Sequence, residues 1–135
     1  MNKKDILNRL FVENNLTSED VFKHQHYTII TRSGIEKIQA NLEIYCAYEV
    51  IKCEPNFAVV KAKAEITKDG YEKFIQTFGS ALKGKSYTDG NTNSWYVIEM
   101  AEKRAMSRAV LKLAGFYELG VFSEDESEQF KRSNN

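Results

Sequence analysis

Residues 57–79, FAVVKAKAEITKDGYEKFIQTFG, decide the fold. From Phe57 to Thr67 apolar and polar residues alternate, the period of a half-buried strand. Ala58, Val60, Ala62, Ala64 and Ile66 share one face, while Lys61, Lys63 and Glu65 share the other. Asp69-Gly70 supplies two residues that tolerate positive φ, the signal for a tight hairpin turn. Tyr71 to Gly79 then returns as a strand. The small alanines on the inner face let a helix approach the sheet closely.

Upstream, Ile44 to Cys53 (IYCAYEVIKC) is rich in β-branched and aromatic residues and is predicted as another strand. It joins Phe57 through Glu54-Pro55-Asn56, the turn that holds the only proline. Residues 44–79 are thus predicted to form an antiparallel meander of about three strands. Downstream, Trp95 to Gly115 (WYVIEMAEKRAMSRAVLKLAG) is predicted as one long helix, to Leu113, that covers it. At the N-terminal end, Lys3 to Asn14 places Ile6, Leu7, Leu10 and Phe11 on one helical face. Thr17 with Asp20 suits a short capped turn, and Tyr27 to Thr31 a short strand. Ser33-Gly34-Ile35-Glu36 fits a capping box that opens a helix to about Leu42. The fold class expected is α+β: a meander packed on a long C-terminal helix, with N-terminal helices.

At 135 residues the chain has the size of one domain and can bury a core without staples. No apolar run approaches the ~18 residues of a membrane span, and MNKKDILNRLFVENN lacks the apolar stretch of a signal peptide. Cys46 and Cys53 have no metal-type spacing and are expected to be free thiols, which suits a cytoplasmic protein. The net charge of zero counts against an indiscriminate polyanion binder. The charge is unevenly spread, however. Residues 118–135 hold five acids and two bases, so a mildly basic body (1–117) precedes an acidic tail (118–135) expected to be flexible.

The charges on the predicted helix are awkward for folding alone. Arg104, Arg108 and Lys112 stack at i, i+4 and i+8, and each like pair destabilises an isolated helix by about 0.2–0.5 kcal/mol. Phosphate would justify the stripe, because arginine's fork matches its oxygens; a solvated face is the plainer alternative. Between sheet and helix, residues 79–94 (GSALKGKSYTDGNTNS) form a long loop carrying Lys83 and Lys85. It ends at Asn93 or Ser94, good N-caps, so it would present backbone N–H groups to an anion. GSALKGKS matches the Walker A spacing, but the amphipathic strand before it and the turn formers after it do not suit that loop. His24 and His26 lie in a polar linker without metal spacing, and Tyr45, Tyr48 and Phe57 suit a core. Single-strand binders combine a basic groove with aromatic platforms. Here Lys61, Lys63, Lys83, Lys85, Arg104, Arg108 and Lys112 would hold phosphates, and Tyr87 and Trp95 would stack bases. If the helix covers the inner sheet face, the outer lysines and the arginines need not be neighbours within one subunit.

Several of these segments together resemble a family. Residues 27–35 (YTIITRSGI) resemble the Y-(I/V)-T-x-x-G-(I/L) opening of phage and archaeal single-strand annealing proteins. Ala58-Val59-Val60-Lys61-Ala62 is similar to a strand that follows, and Phe78-Gly79-Ser80-Ala81 to an f-G-x-A element. Glu99 to Val110 (EMAEKRAMSRAV) and Leu111 to Gly115 are similar to the helix and its L-x-x-x-G end, with an acidic stretch trailing. The likeness spans roughly residues 27–128. It is to the superfamily that holds the phage essential-recombination-function proteins and the eukaryotic annealing mediator of the radiation-sensitivity group. It implies a meander on a helix, rings or filaments of protomers, and single-stranded DNA in a basic groove to which Lys103-Arg104-Ala105 contributes.

The function expected is therefore single-stranded DNA binding of the recombination or annealing type, in replication or repair of a phage or mobile element within a bacterial host. No catalysis, metal or cofactor is expected. The expected partners are DNA, further copies of the chain, and a replication or recombination protein held by the acidic tail. The alternatives are a non-enzymatic interaction module with a partner-binding tail, and a nucleotide-binding protein using residues 79–86. Replacing Arg104 and Arg108 together by alanine is expected to weaken DNA binding and leave stability unchanged or slightly raised.

Overall fold

The computed structural model describes residues 2–85 and 89–126. Among the described residues three helices and two three-stranded sheets make up an α+β fold. In chain order they are α1 (Lys3–Glu13), β1 (Val21–His24), β2 (Tyr27–Ile30), α2 (Arg32–Asn41), β3 (Tyr45–Glu54), β4 (Phe57–Lys68), β5 (Tyr71–Leu82), α3 (Val97–Leu113) and β6 (Val121–Ser123). Single 3-10 turns occupy Tyr117–Leu119 and Glu124–Glu126.

The larger sheet is the expected meander, β3-β4-β5, antiparallel throughout. Asp69 and Gly70 both take positive φ, 53° and 80°, as a two-residue turn between right-twisted strands requires. A bulge leaves Ile51 as an extra residue in β3 between the pairs Val50–Val60 and Lys52–Val59. The inner face of β4 is buried from Ala58 to Ile66, and α3 packs across β4 and β5. Ala58, Ala62 and Ala81 of the sheet meet Ala101 and Ala105 of the helix in one apolar cluster. Gly79 marks the closest approach: a Cβ there would stand 2.2 Å from the Ala101 carbonyl oxygen and 2.4 Å from the Ala105 nitrogen. A second cluster joins β2, α2, the far end of α3 and β6 through Ile30, Ile35, Ile38, Val110, Leu111 and Val121, with Phe116 among them.

Several boundaries differ from expectation. The helix at residue 32 is capped by Thr31, whose hydroxyl accepts from the Gly34 N–H, so the cap lies two residues before the expected Ser33. Helix α3 begins at Val97 without a side-chain cap. Ser94 instead accepts the Tyr96 N–H through its hydroxyl, and no capped helix start opens at Asn93 or Ser94. The expected polar linker around His24 is strand β1, antiparallel to β2.

The largest correction concerns the acidic tail. Val121–Ser123 forms β6, parallel to β2, and Val121 and Ser123 are fully buried. Glu124, Asp125 and Glu126 then fold back against arginines, and Glu126 is only 3% exposed. Acidity implies solvation only where nothing can pair with it, and here Arg32 faces Asp125 and Arg108 pairs with Glu126. The rest of the expected tail, 127–135, lies outside the described residues. Among the described residues no helix is long and apolar enough to cross a membrane.

Candidate nucleic-acid interface

The predicted phosphate ligands fall into three separate places. The first is the arginine stripe of α3. Arg104 is 1% exposed. Its guanidinium donates to three backbone carbonyls: Ser80 at 2.8 Å, Asn91 at 2.7 Å and Asp125 at 3.0 Å. Arg108 donates to the Phe78 carbonyl at 3.0 Å and to the Glu126 carboxylate at 3.2 Å. Beside them, the Arg32 guanidinium stands 3.9 Å from Asp125, and the Arg32 backbone N–H donates to the Glu124 carboxylate at 2.7 Å; the Ser107 hydroxyl donates to Asp125 at 2.7 Å. The like-charge stripe is thus resolved internally, by carbonyls and by the acidic segment, and Arg104 and Arg108 are corrected from phosphate ligands to structural clamps. Arg32 belongs to this cluster although nothing in its local sequence marked it.

These arginines also close one edge of the meander. In β5 the backbone groups of Phe78, Ser80 and Leu82 point away from β4. The carbonyls of Phe78 and Ser80 accept from Arg108 and Arg104, and the Leu82 N–H donates to the Asn91 side chain at 2.7 Å. Among the described residues no side chain covers β3 in this way. By the alternation of an antiparallel ladder, Cys46, Tyr48 and Val50 turn their backbone groups outward, and Tyr48, Val50 and Ile51 are exposed.

The second place is the outer sheet face, across the sheet from α3. Lys61 pairs with Glu49 at 2.9 Å and Lys63 with Glu65 at 3.4 Å. The Lys63 ammonium also lies 5.1 Å from the Phe74 ring centre. Tyr45, expected in the core, is 67% exposed, and Phe74 and Phe78 are exposed as well. The register shows this, because Tyr45, Ala47 and Glu49 of β3 oppose the outward Glu65, Lys63 and Lys61 of β4. Exposed ion pairs contribute only ~0–1 kcal/mol each, so this face is charge-balanced rather than basic.

The third place is the corner where β5 ends and α3 begins. Trp95 is 68% exposed and Tyr96 72%. The Lys83 ammonium sits 4.2 Å from the centre of the Trp95 ring. Lys85 is exposed nearby in sequence. Lys103 lies seven residues after Tyr96, two helical turns along the same face of α3. Glu99, also exposed, is the acid on that face. Lys112 lies apart at the other end of α3, its ammonium 5.1 Å from the Tyr117 ring centre. Tyr87 lies outside the described residues.

The Walker-like stretch does not build a phosphate cradle: Gly79 to Leu82 belongs to β5, laddered antiparallel to Val60–Phe57. Among the described residues no cluster of side chains could hold a metal ion. Burial pushes the Cys46 thiol up. The Asp20 carboxyl is held below its usual range by the Lys37 ammonium at 2.7 Å and the Thr17 N–H at 2.9 Å, against the opposing effect of its burial.

No family model, curated protein or solved structure matches this chain.

Proposed function

We propose that the chain is a non-enzymatic single-stranded DNA-binding protein of the recombination or annealing type that binds without sequence preference and acts as a homo-oligomer. One observation carries it: an exposed indole, Trp95, with the Lys83 ammonium against it and exposed Tyr96 beside it in sequence. Each base stacked on an aromatic ring contributes about 1–3 kcal/mol whatever its identity, and a lysine beside the ring meets the phosphate between stacked bases. Lys85 and Lys103 extend the cationic path. The uncovered edge of β3 supports self-association, since an open edge recruits another strand.

Trp95 is the only tryptophan, so it reports directly. Titration with oligothymidine should quench its fluorescence, and Lys83→Ala with Lys85→Ala should weaken the binding. The slope of log affinity against log salt should then fall by about 0.7 for each phosphate that is no longer neutralised. Binding without quenching would move the site elsewhere. No binding to any oligonucleotide at low salt would overturn the proposal.

A further inference from the structure

A groove of about 830 Å³ runs between α1 and the β1-β2-β6 sheet, within the size range of ligand clefts. Leu7 and Phe11 of α1 reach into it, yet no residue of α1 is fully buried. Leu119 and Phe122 line the opposite wall. Lys3, Lys4 and Lys23 stand around the opening, and no Asp or Glu lines it. Among the described residues none of the ion pairs involves these three lysines. In a chain of zero net charge, a mostly apolar cleft lined by three lysines and by no acid is a local excess that asks for an anionic, partly apolar occupant.

The aromatic rings here are already committed to one another. Phe11 stacks on Phe116 with ring centres 5.9 Å apart. Tyr27 and Tyr117 both meet Phe122 edge to face, at 5.6 and 5.3 Å. Nucleobases need an open ring face to stack upon, whereas apolar side chains need only a greasy slot. The cleft therefore suits a peptide better than a nucleic acid.

We infer that this groove docks an acidic peptide segment of another protein. One or two large apolar side chains enter between Leu7, Phe11 and Phe122, and the flanking carboxylates face Lys3, Lys4 and Lys23. Such anchors give affinity and the charges give specificity and rate. The groove shares no residue with the Trp95 corner, so it does not depend on DNA binding there.

The test is selection of a random displayed peptide library on the full-length protein. Enriched peptides should combine acids with large apolar residues, and their binding should weaken with added salt. Lys4→Glu with Lys23→Glu should weaken them about tenfold without lowering the melting temperature. Amide shifts in nuclear magnetic resonance should map to α1, β1 and β6. Enrichment without acids, equal binding to the double variant, shifts elsewhere, or displacement of the peptide by oligothymidine would each overturn the inference. The last outcome would assign the groove to nucleic acid instead.

Discussion

Replacing Arg104 by alanine separates a structural arginine from a DNA-binding one. The side chain is buried and donates to carbonyls of three segments that lie 24, 13 and 21 residues away in sequence. A hydrogen bond from a charged donor contributes ~1.5–3 kcal/mol, but the guanidinium's own desolvation offsets part of the sum. Removing the guanidinium leaves three carbonyls without their donor at about 1–3 kcal/mol apiece, so after that offset a loss of about 3–5 kcal/mol is expected. For a chain of this length each kcal/mol lowers Tm by roughly 3–4 °C, so a fall of about 10–20 °C is expected. Arg104→Met keeps most of the apolar stem and should recover only the packing share of the loss. Lys103→Ala, one residue away and partly exposed, should change stability by less than about 0.5 kcal/mol. Thermal unfolding by circular dichroism and affinity for oligothymidine, measured on the same samples, decide the matter. An unchanged Tm with a large loss of affinity in Arg104→Ala would refute the clamp and restore the phosphate role expected from the helix stripe.

Gly79→Ala should destabilise by about 3 kcal/mol or more, because its methyl group would meet backbone of α3 rather than a movable side chain; the midpoint of urea unfolding measures it. Asp20→Asn should lower stability by about 1–3 kcal/mol at neutral pH. The folded-state pKa of Asp20 is depressed, so its contribution is present above the unfolded value of ~3.9 and is lost as pH falls through the folded value. The stability gap between wild type and variant should accordingly hold above about pH 4 and close only as pH falls further, through that depressed value; a gap of constant size across the whole acid range would disprove the linkage. Alkylation should modify exposed Cys53 well before Cys46, whose thiol is half-buried and pushed up by that burial; peptide mass mapping over time would show it.

The meander was legible because its signal is local. Alternation along Phe57–Thr67, the Asp69-Gly70 turn and the alanine face all sit within one stretch of chain, and β4 and its hairpin follow them. Strands β1 and β6 are not legible in the sequence, for the opposite reason. Each is short, and each is held by pairing with β2, β6 from about 90 residues away. The site suffered from the same blindness. The partners of Arg104 are backbone carbonyls, which every residue has, so no residue type announces that an arginine will be swallowed by them. Only the awkward spacing of Arg104 and Arg108 was visible, and it was a true anomaly with two possible causes. The long loop was legible only in part: Gly79 to Leu82 belongs to β5 and no capped helix start opens at Asn93 or Ser94, while the contact of Lys83 with Trp95 joins residues 12 apart and has no local signal.

The clamp also bears on how copies of the chain could assemble. It seals β5 from Phe78 to Leu82, whereas β3 is exposed over residues 47–54. A copy adding its β3 to that part of β5 would have to pull Arg104 and Arg108 from the carbonyls they hold. Edge pairing is therefore easiest between two β3 strands, an isologous contact that closes on itself. Rings or filaments of the kind implied by the family resemblance need a head-to-tail contact, which two identical edges cannot supply. If sheet edges alone drive assembly, light scattering should give a dimer, twice the 15.5 kDa of one chain, and Val50→Lys should return it to a monomer. Arg108→Ala, which bares the Phe78 carbonyl, should then allow larger species. A wild-type particle of many protomers, unaffected by Val50→Lys, would show that copies meet through another surface and that the open edge of β3 is not the joint.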